Sequence, residues 1–101
     1  MATLRVITIV AEAEVADRLA RDLRELGLRG WNLTHGEGHW NRALDTAGPA
    51  DFDGPTVRFE MVAREDRVEA VMAHLAAAWF PRFAVFAWVS PAEVLRPGKY
   101  A

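Results

Sequence analysis

With 101 residues, the chain has the length of one domain, and we predict a single domain over residues 1–101. Its 12 basic and 14 acidic side chains give a net charge of −2, without the basic excess typical of nucleic-acid-binding proteins. It has no cysteine, which excludes disulfides, thiolate metal sites and cysteine nucleophiles. Residues 1–11 lack the features of a signal peptide, and no apolar run is long enough to span a membrane, so we expect a cytoplasmic protein.

The share of hydrophobic residues is high for so short a chain. Hydrophobic residues make up 51% of it, among them four Trp and five Phe. A domain of this size buries only about 60–70% of the surface of its unfolded chain, so a monomer would leave much apolar material exposed. We therefore expect the protein to form oligomers.

The first half of the chain predicts a strand, a helix and a weaker strand. Residues 4–10 are rich in β-branched side chains, which favours a strand. Residues 15–26 then place apolar side chains at helical spacing with charged residues on the other side, and Gly27 marks the helix end. Residues 28–34 predict a second strand, which is weaker because glycine and asparagine interrupt it.

The second half repeats this order of elements. Residues 56–63 alternate between apolar and polar side chains, which predicts a strand. Acidic residues from Glu65 begin a helix whose apolar stripe ends at Trp79, and Pro81 closes it. Residues 83–89 predict a last strand that is apolar on both faces.

The resulting order, β-α-β-loop-β-α-β, indicates an α+β domain of the ferredoxin-like βαββαβ type. Such a domain has a four-stranded antiparallel sheet with two helices on one face. We expect the first and last strands to be central, and both carry apolar side chains on both sides, so something other than the helices must cover the second face. A second copy of the sheet is the candidate. The alternative is that these strands are merely β-prone and that the surface tolerates a few aromatic side chains.

Residues 35–55 show no periodicity, and so long an irregular connection is usually functional or disordered. His35 and His39 lie in it four residues apart, a spacing that suits two metal ligands on a helix. Gly36 and Gly38 argue against a helix, and no third ligand follows at a recognisable spacing. We therefore predict no metal site.

No arrangement of residues predicts a catalytic site. The sequence has no serine elbow, Walker lysine or HExxH motif. Acidic residues of the irregular segment could serve a weak nucleotide hydrolase acting through Glu37, but carboxylates on a loop are usually only solvated. These carboxylates are Glu37, Asp45, Asp51 and Asp53. We predict that the protein is not an enzyme.

A second pattern in the same segment suggests anion binding. Gly36, Glu37 and Gly38 place two glycines where the backbone could approach a ligand and direct N–H groups at an anion. Arg42 follows shortly after, and Arg96 lies in the tail. Guanidinium groups suit phosphate because they can donate two hydrogen bonds at once.

Taken together, these segments resemble the PII signalling superfamily. Residues 89–96 (VSPAEVLR) are similar to the PII segment V-x-P-V-E and the V-I-R stretch that follows it. Residues 30–33 (GWNL) resemble the G-M-T-V strand, and residues 36–38 match the G-x-G that opens the long T-loop. Residues 57–62 (VRFEMV) are similar to the K-I-E-I-V strand after that loop. The resemblance covers nearly the whole chain.

Within the superfamily, residues 93–100 (EVLRPGKY) resemble the ending E-V-L-R-P-x-K-aromatic of PII-like proteins linked to carboxysomes and bicarbonate transport. The resemblance implies a homotrimer that binds an adenine nucleotide in clefts between subunits and signals to a protein target. The T-loop that would carry the signal spans about residues 36–55, and the C-terminal tail about residues 90–101.

The resemblance also carries over to seven residues of a candidate nucleotide site. Two would lie at the base, one near the adenine of a neighbouring subunit and one along the ring. Five would lie at the phosphates, three through their backbone and two through a guanidinium. Asn32 is the residue near the adenine, and Val62 is the one along the ring. Gly36, Glu37 and Gly38 are the backbone contacts to the phosphates, and Arg42 and Arg96 are the guanidinium contacts.

Two departures from the family pattern change the expected function. PII proteins carry a G-D-G-K segment whose lysine helps to hold a triphosphate, whereas residues 83–86 here are wholly apolar. We therefore expect AMP or ADP to be preferred over ATP, with bicarbonate as a family-level co-ligand. No tyrosine precedes Tyr100, so uridylylation of the loop is not expected. The alternative function is a ferredoxin-like trimer that binds another small molecule or a metal.

Overall fold

The computed structural model describes residues 4–40, 51–96 and 98. Within them the predicted order of elements is confirmed. The elements are β1 (Leu4–Glu12), a short 3-10 turn (Ala13–Val15), α1 (Ala16–Glu25), β2 (Asn32–Trp40), β3 (Phe52–Arg64), α2 (Glu65–His74), a π-helical turn (Leu75–Trp79) and β4 (Val85–Pro91).

The four strands form one antiparallel sheet in the order β2-β3-β1-β4. The predicted α+β class and the antiparallel sheet are confirmed, but the expectation that the last strand is central was wrong. β1 pairs with both β3 and β4, so β1 and β3 occupy the middle while β2 and β4 form the edges. An edge strand can be apolar on both faces when its partly exposed face meets something outside the sheet.

The core lies between the sheet and the two helices. From β1 and β3, Ile7, Ile9 and Phe59 are fully buried on the helix side, where they pack with apolar residues of both helices. The helix residues of this cluster that are buried are Leu19, Leu23, Val68, Val71, Leu75 and Trp79. Burial of this cluster drives the helices onto one face of the sheet. Among the described residues, no helix is both long and apolar enough to cross a membrane.

The end of α1 follows the prediction made from Gly27. Gly27 has a φ of +93°, its N–H donates to the carbonyl of Arg24 (3.0 Å), and the N–H of Leu28 donates to the carbonyl of Leu23 (3.0 Å). This pair of hydrogen bonds is the Schellman arrangement, which satisfies the last carbonyls of a helix and favours glycine at the left-handed position. The turn directs the chain into the loop before β2.

β2 and β3 extend further into the irregular segment than the side-chain pattern predicts. β2 runs to Trp40 and β3 begins at Phe52, with Gly36 opposite Thr56 and Gly38 opposite Gly54. Cross-strand backbone pairing does not require alternating side chains, so the apolar pattern missed these ends. Residues 41–50, which include Arg42 and Asp45, lie outside the described residues.

The face of the sheet opposite the helices is partly apolar, as the sequence indicates. The strand register places Val6 and Val10 of β1, and Phe86 and Trp88 of β4, on this outer face. Trp88 is 45% exposed. Trp40 covers one end of the face, where it contacts Phe86. The Arg58 guanidinium lies over the ring of Trp88, and Val6 and Val10 stay half-buried.

Candidate ligand-binding cleft

An open cleft of about 940 Å3 lies beside the edge strand β2. Its walls come from the loop between α1 and β2 and from the C-terminal part of β3, with one residue each from β1, β2 and α2. The lining residues are Val6, Gly27, Leu28, Arg29, Gly30, Trp31, Asn32, Glu60, Met61, Val62, Ala63, Arg64 and Arg67. The cleft therefore combines an apolar floor with polar and cationic groups at its margin, as small-molecule sites commonly do.

The wall formed by the α1–β2 loop is held in place by Arg67 of α2. The Nη1 atom of Arg67 donates a hydrogen bond to the carbonyl oxygen of Leu26 (2.9 Å). The guanidinium lies directly over Gly27, where a Cβ atom would be 2.6 Å from its Cζ atom. Since only glycine leaves room for this approach, the helix end and the position of Arg67 depend on the same residue.

Three arginines make the margin of the cleft positively charged. Arg64 donates to Asp66 through Nε (3.3 Å) and Nη2 (2.8 Å), and these hydrogen bonds hold the pKa of the Asp66 carboxyl below its usual value. Arg67 contacts the backbone as described above. Arg29 is exposed and makes no ion pair with any residue that the structure describes. The one acidic side chain of the lining, Glu60, is paired with Arg58 at 3.1 Å.

Two of the residues predicted to contact the nucleotide base, Asn32 and Val62, line this cleft. Asn32 is the first residue of β2 and lies opposite Glu60 in β3. Val62 lies opposite Val6 in β1, and the two valines form the apolar floor of the cleft beside Asn32. The sheet register brings these residues together although 30 positions separate Asn32 from Val62 in sequence.

Gly36, Glu37 and Gly38 lie further along β2. At about 3.4 Å per residue, their Cα atoms are about 14–20 Å from that of Asn32. The N–H of Glu12 donates to the carbonyl of Ala84 (3.3 Å), so alternate residues of β1 starting from Glu12 face β4. β1 pairs with β3 and β3 with β2 in a fixed register, so the same alternation continues into β2. The N–H and C=O groups of Gly36 and Gly38 therefore point towards β3, and those of Glu37 point towards the open edge of the sheet.

Of the two arginines predicted at the phosphates, the one that the structure describes, Arg96, does not line the cleft. Arg96 is exposed in the segment after β4, next to Leu95, which is fully exposed at 102%. Arg42 lies outside the described residues. The structure thus gathers Asn32 and Val62 at one site, and leaves the glycine segment and Arg96 elsewhere on the same chain.

The cationic residues of the cleft were missed by the sequence analysis. Arg29 precedes β2, while Arg64 and Arg67 follow the core of β3 and begin α2. Their positive charge is visible in the sequence, but nothing local shows that the two segments meet. Only the pairing of β2 with β3 and the packing of α2 on the α1–β2 loop bring them to one margin.

The histidine pair does not form a metal site. His35 and His39 are both in the extended strand β2, so four residues separate their Cα atoms by about 14 Å, too far to share one ion. His39 instead lies 3.5 Å from the Asp53 carboxylate through Nδ1, on an exposed part of the hairpin. Across residues 4–40, 51–96 and 98, no group of three or more metal-binding side chains is found.

Comparison with known proteins agrees with this architecture. The model of the family Nitrogen regulatory protein P-II matches residues 4–99. A PII-like signalling protein from Thermus thermophilus is similar in structure, with 30% identity, a TM-score of 0.80 and coverage of 99% of this chain and 97% of that chain. A comparison with curated protein sequences found no significant match.

Two similar structures contain ligands. Both are of CPII from Thiomonas intermedia, one bound to ADP, AMP and acetate (16% identity, TM-score 0.81, 98% of this chain and 95% of that chain). The other is bound to ADP and bicarbonate (15% identity, TM-score 0.80, 98% of this chain and 95% of that chain). At these identities the likeness establishes a common fold. With the family model spanning nearly all of its length and a relative at 30% identity, the chain belongs to the P-II family and is a PII-like regulatory protein.

Proposed function

We propose that this protein is a non-catalytic sensor that binds an adenine nucleotide, with AMP or ADP preferred over ATP. The nucleotide binds in clefts between the subunits of a cytoplasmic homotrimer. Its presence changes the order of the T-loop, at about residues 36–55, through which the protein engages a protein target. The single observation that carries this proposal is the open, cation-rimmed cleft beside β2, which contains Asn32 and Val62.

The shape of the cleft favours completion by a neighbouring subunit. The cleft of the single chain is open on one side, so a ligand bound there would keep that side in water. The same chain carries a tail with Leu95 fully exposed next to Arg96. A tail that docks against the edge of the adjacent subunit would bury Leu95 and bring Arg96 to the phosphates.

The residues at the cleft fit a nucleoside monophosphate or diphosphate. Val62 and Val6 offer an apolar surface for a purine, Asn32 offers an amide, and Arg29 offers a cation with no described ion-pair partner. Residues 83–86, which align with the PII segment that carries a lysine, are wholly apolar and provide no cation here. Ala84 and Val85 are buried, and Phe86 contacts Trp40. A third phosphate would therefore add little to the free energy of binding.

Bicarbonate is the proposed co-ligand, and control of inorganic-carbon uptake or of a carboxysome-related process is the proposed pathway. This part of the proposal is supported by the resemblance of residues 93–100 to carboxysome- and bicarbonate-linked PII-like proteins. It is also supported by the similar CPII structure that contains ADP and bicarbonate. A change in ADP affinity when bicarbonate is added, at constant pH and ionic strength, would support it.

Isothermal titration calorimetry with AMP, ADP, ATP and cyclic AMP tests the nucleotide proposal. We expect saturable binding of AMP and ADP, weaker binding of ATP, and loss of most of the affinity in Val62→Asp, which puts a charge on the floor of the cleft. The matched control is Ala73→Asp, which puts the same charge on the exposed side of α2 outside the cleft lining. Because Val62 lies on the outer face of the sheet, the mass of the Val62→Asp variant is measured beside its affinity, so that loss of the trimer is distinguished from loss of the site. Absence of heat and of a melting shift with all four nucleotides would contradict the proposal.

A further inference from the structure

A second cleft lies on the helix side of the molecule, away from β2. It has a volume of about 210 Å3 and is formed by α1, the π-helical turn and the residues that follow that turn. A water molecule takes about 30 Å3 of liquid volume, so the space suits a small ion or a short metabolite and not a nucleotide. It shares no lining residue with the cleft beside β2, although Phe83 begins the segment that aligns with the lysine-bearing segment of PII proteins.

Three arginine residues line this cleft. Arg18 and Arg21 lie three residues apart on α1, which places them on the same helix face, and Arg82 reaches the cleft from the segment after the π-helical turn. All three are exposed, and none of them makes an ion pair with a described residue. The nearby carboxylate, Asp22, is the one acidic residue of the lining, so the cleft has an excess of two positive charges.

The walls of the cleft are fixed by aromatic packing. Trp79 is 2% exposed and donates its indole N–H to Asp22 (2.8 Å). Phe83 packs on Trp79 with 4.7 Å between ring centroids, and the Cζ atom of Arg18 lies 5.6 Å from the centroid of Phe83. A cation over an aromatic face is held without losing its hydrogen-bond donors, so at least one guanidinium is positioned before any ligand arrives.

The carboxylate at the margin of the cleft does not cancel its positive character. Asp22 Oδ2 accepts hydrogen bonds from both Trp79 and the ring of His74, each at 2.8 Å, so its charge is directed into the interface between the helices. Asp22 also interacts electrostatically with Arg21, whereas Arg18 and Arg82 make no ion pair with a described residue and can receive a ligand from solvent. Like charges gathered around one cavity repel each other, and an anion bound between them removes that repulsion.

We propose that the cleft between α1 and the π-helical turn is a binding site for a small anion that presents phosphate or carboxylate oxygens to Arg18, Arg21 and Arg82. Guanidinium groups bind such oxygens in pairs, which gives geometric selectivity over chloride. The site shares no lining residue with the cleft beside β2, so it would allow the protein to respond to a second, chemically different metabolite.

An NMR titration of the full-length protein tests this site. Inorganic phosphate and, separately, citrate are added at constant ionic strength set with sodium chloride, and the indole N–H of Trp79 and the arginine Nε–H signals are followed. We expect saturable shifts of Trp79 and of the three arginines with at least one of the two anions. Shifts that merely follow ionic strength, or that chloride reproduces, would overturn the proposal.

The double variant Arg21→Gln/Arg82→Gln should weaken binding of that anion by about tenfold or more, because it removes two charge-assisted contacts. Both residues are exposed, so the fold should survive. Arg24→Gln is the matched control, since it removes one positive charge from the same helix outside the cleft and should leave the affinity unchanged. An unaltered affinity in the double variant, or tighter binding of a hexaglutamate peptide than of either small anion, would contradict a small-anion site.

Discussion

The indole ring of Trp40 lies edge-on against the ring of Phe86, with 5.1 Å between their centroids and 76° between their planes. Trp40 ends the edge strand β2, and Phe86 belongs to the opposite edge strand β4. The hairpin of β2 and β3 must therefore curl over the outer face of the sheet to bring them together. This contact ties the base of the predicted T-loop to the last strand, so a change in the loop can reach the outer face.

Gly38 allows this curl, and its substitution should disrupt it. A Cβ atom at Gly38 would lie 2.6 Å from Thr56 Cγ2 and 2.7 Å from Trp40 Cζ3. We expect Gly38→Ala to lower the free energy of unfolding by about 1–3 kcal/mol, because the indole must leave its place against Phe86. Urea denaturation measures the loss, and the indole N–H signal of Trp40 should shift in an NMR spectrum.

The control for this change is Gly36→Ala on the same strand. A Cβ atom there would meet only Thr56 Oγ1 at 3.5 Å, an ordinary contact. We expect its effect on stability to be within about 0.5 kcal/mol. Equal losses in the two variants would mean that glycine is needed for the strand itself and not for the position of Trp40.

Gly27 should be as sensitive as Gly38, chiefly because of its backbone conformation. Its φ of +93° is unfavourable for a residue with a side chain, and a Cβ atom would collide with Arg67. We expect Gly27→Ala to cost about 1–2 kcal/mol of unfolding free energy from the backbone alone. Gly30→Ala, three residues further in the same loop, has open space around its Cβ and should be nearly neutral. The denaturation midpoints of both variants, compared with that of the wild type, measure these two effects on stability.

The hydrogen bonds to Asp22 predict a dependence of stability on pH. Burial alone would raise the pKa of the Asp22 carboxyl, but the hydrogen bonds from His74 and Trp79 outweigh it and hold the pKa below its usual value. The unfolded chain therefore binds a proton at Asp22 at a higher pH than the native protein does. Its contribution to stability is present above about pH 4 and is lost as the pH falls through the lowered native pKa.

Asp22→Asn should remove this part of the acid sensitivity. Urea midpoints measured between pH 6 and pH 3 should fall less steeply in the variant than in the wild type, while at neutral pH the variant should be less stable by about 1–3 kcal/mol. Asp17→Asn, on an exposed position of the same helix, should keep the slope of the wild type. A wild-type slope in Asp22→Asn would show that these hydrogen bonds do not set its ionisation.

The outer face of the sheet predicts the effect of a charge on subunit assembly. Trp88 is 45% exposed there, and the Arg58 guanidinium lies 5.5 Å from its ring centroid. If three sheets meet through this face, Trp88→Asp should convert the trimer into monomers, because a carboxylate would lose its hydration at the interface and the apolar contact of the indole would be lost, even with Arg58 nearby. Light scattering coupled to gel filtration measures the mass.

Ala73→Glu is the control for the assembly experiment. Ala73 is exposed on α2, on the helix side of the sheet, and the substitution should leave the mass unchanged. A monomeric wild-type protein would contradict both the proposed trimer and the nucleotide clefts that need it. A trimer that survives Trp88→Asp would place the interface elsewhere.

Local sequence patterns predicted the elements that depend on neighbouring residues. The helical spacing of Leu19 and Leu23 with the charged side opposite, and Gly27 after them, fixed the first helix and its end. In the core of β3, the alternation of apolar and polar side chains predicted a strand, because successive side chains on a pleated strand point to opposite faces. Such patterns record which face of an element is buried.

What only the tertiary structure decided is which distant segments meet. The strand order made β4 an edge strand, placed Arg29 and Arg64 at one margin with Asn32 and Val62, and gathered Arg18, Arg21 and Arg82 around Trp79. These arrangements depend on pairing and packing between residues far apart in the chain. Local periodicity does not predict them, because strand pairing through backbone hydrogen bonds and packing between helices are compatible with many different side chains.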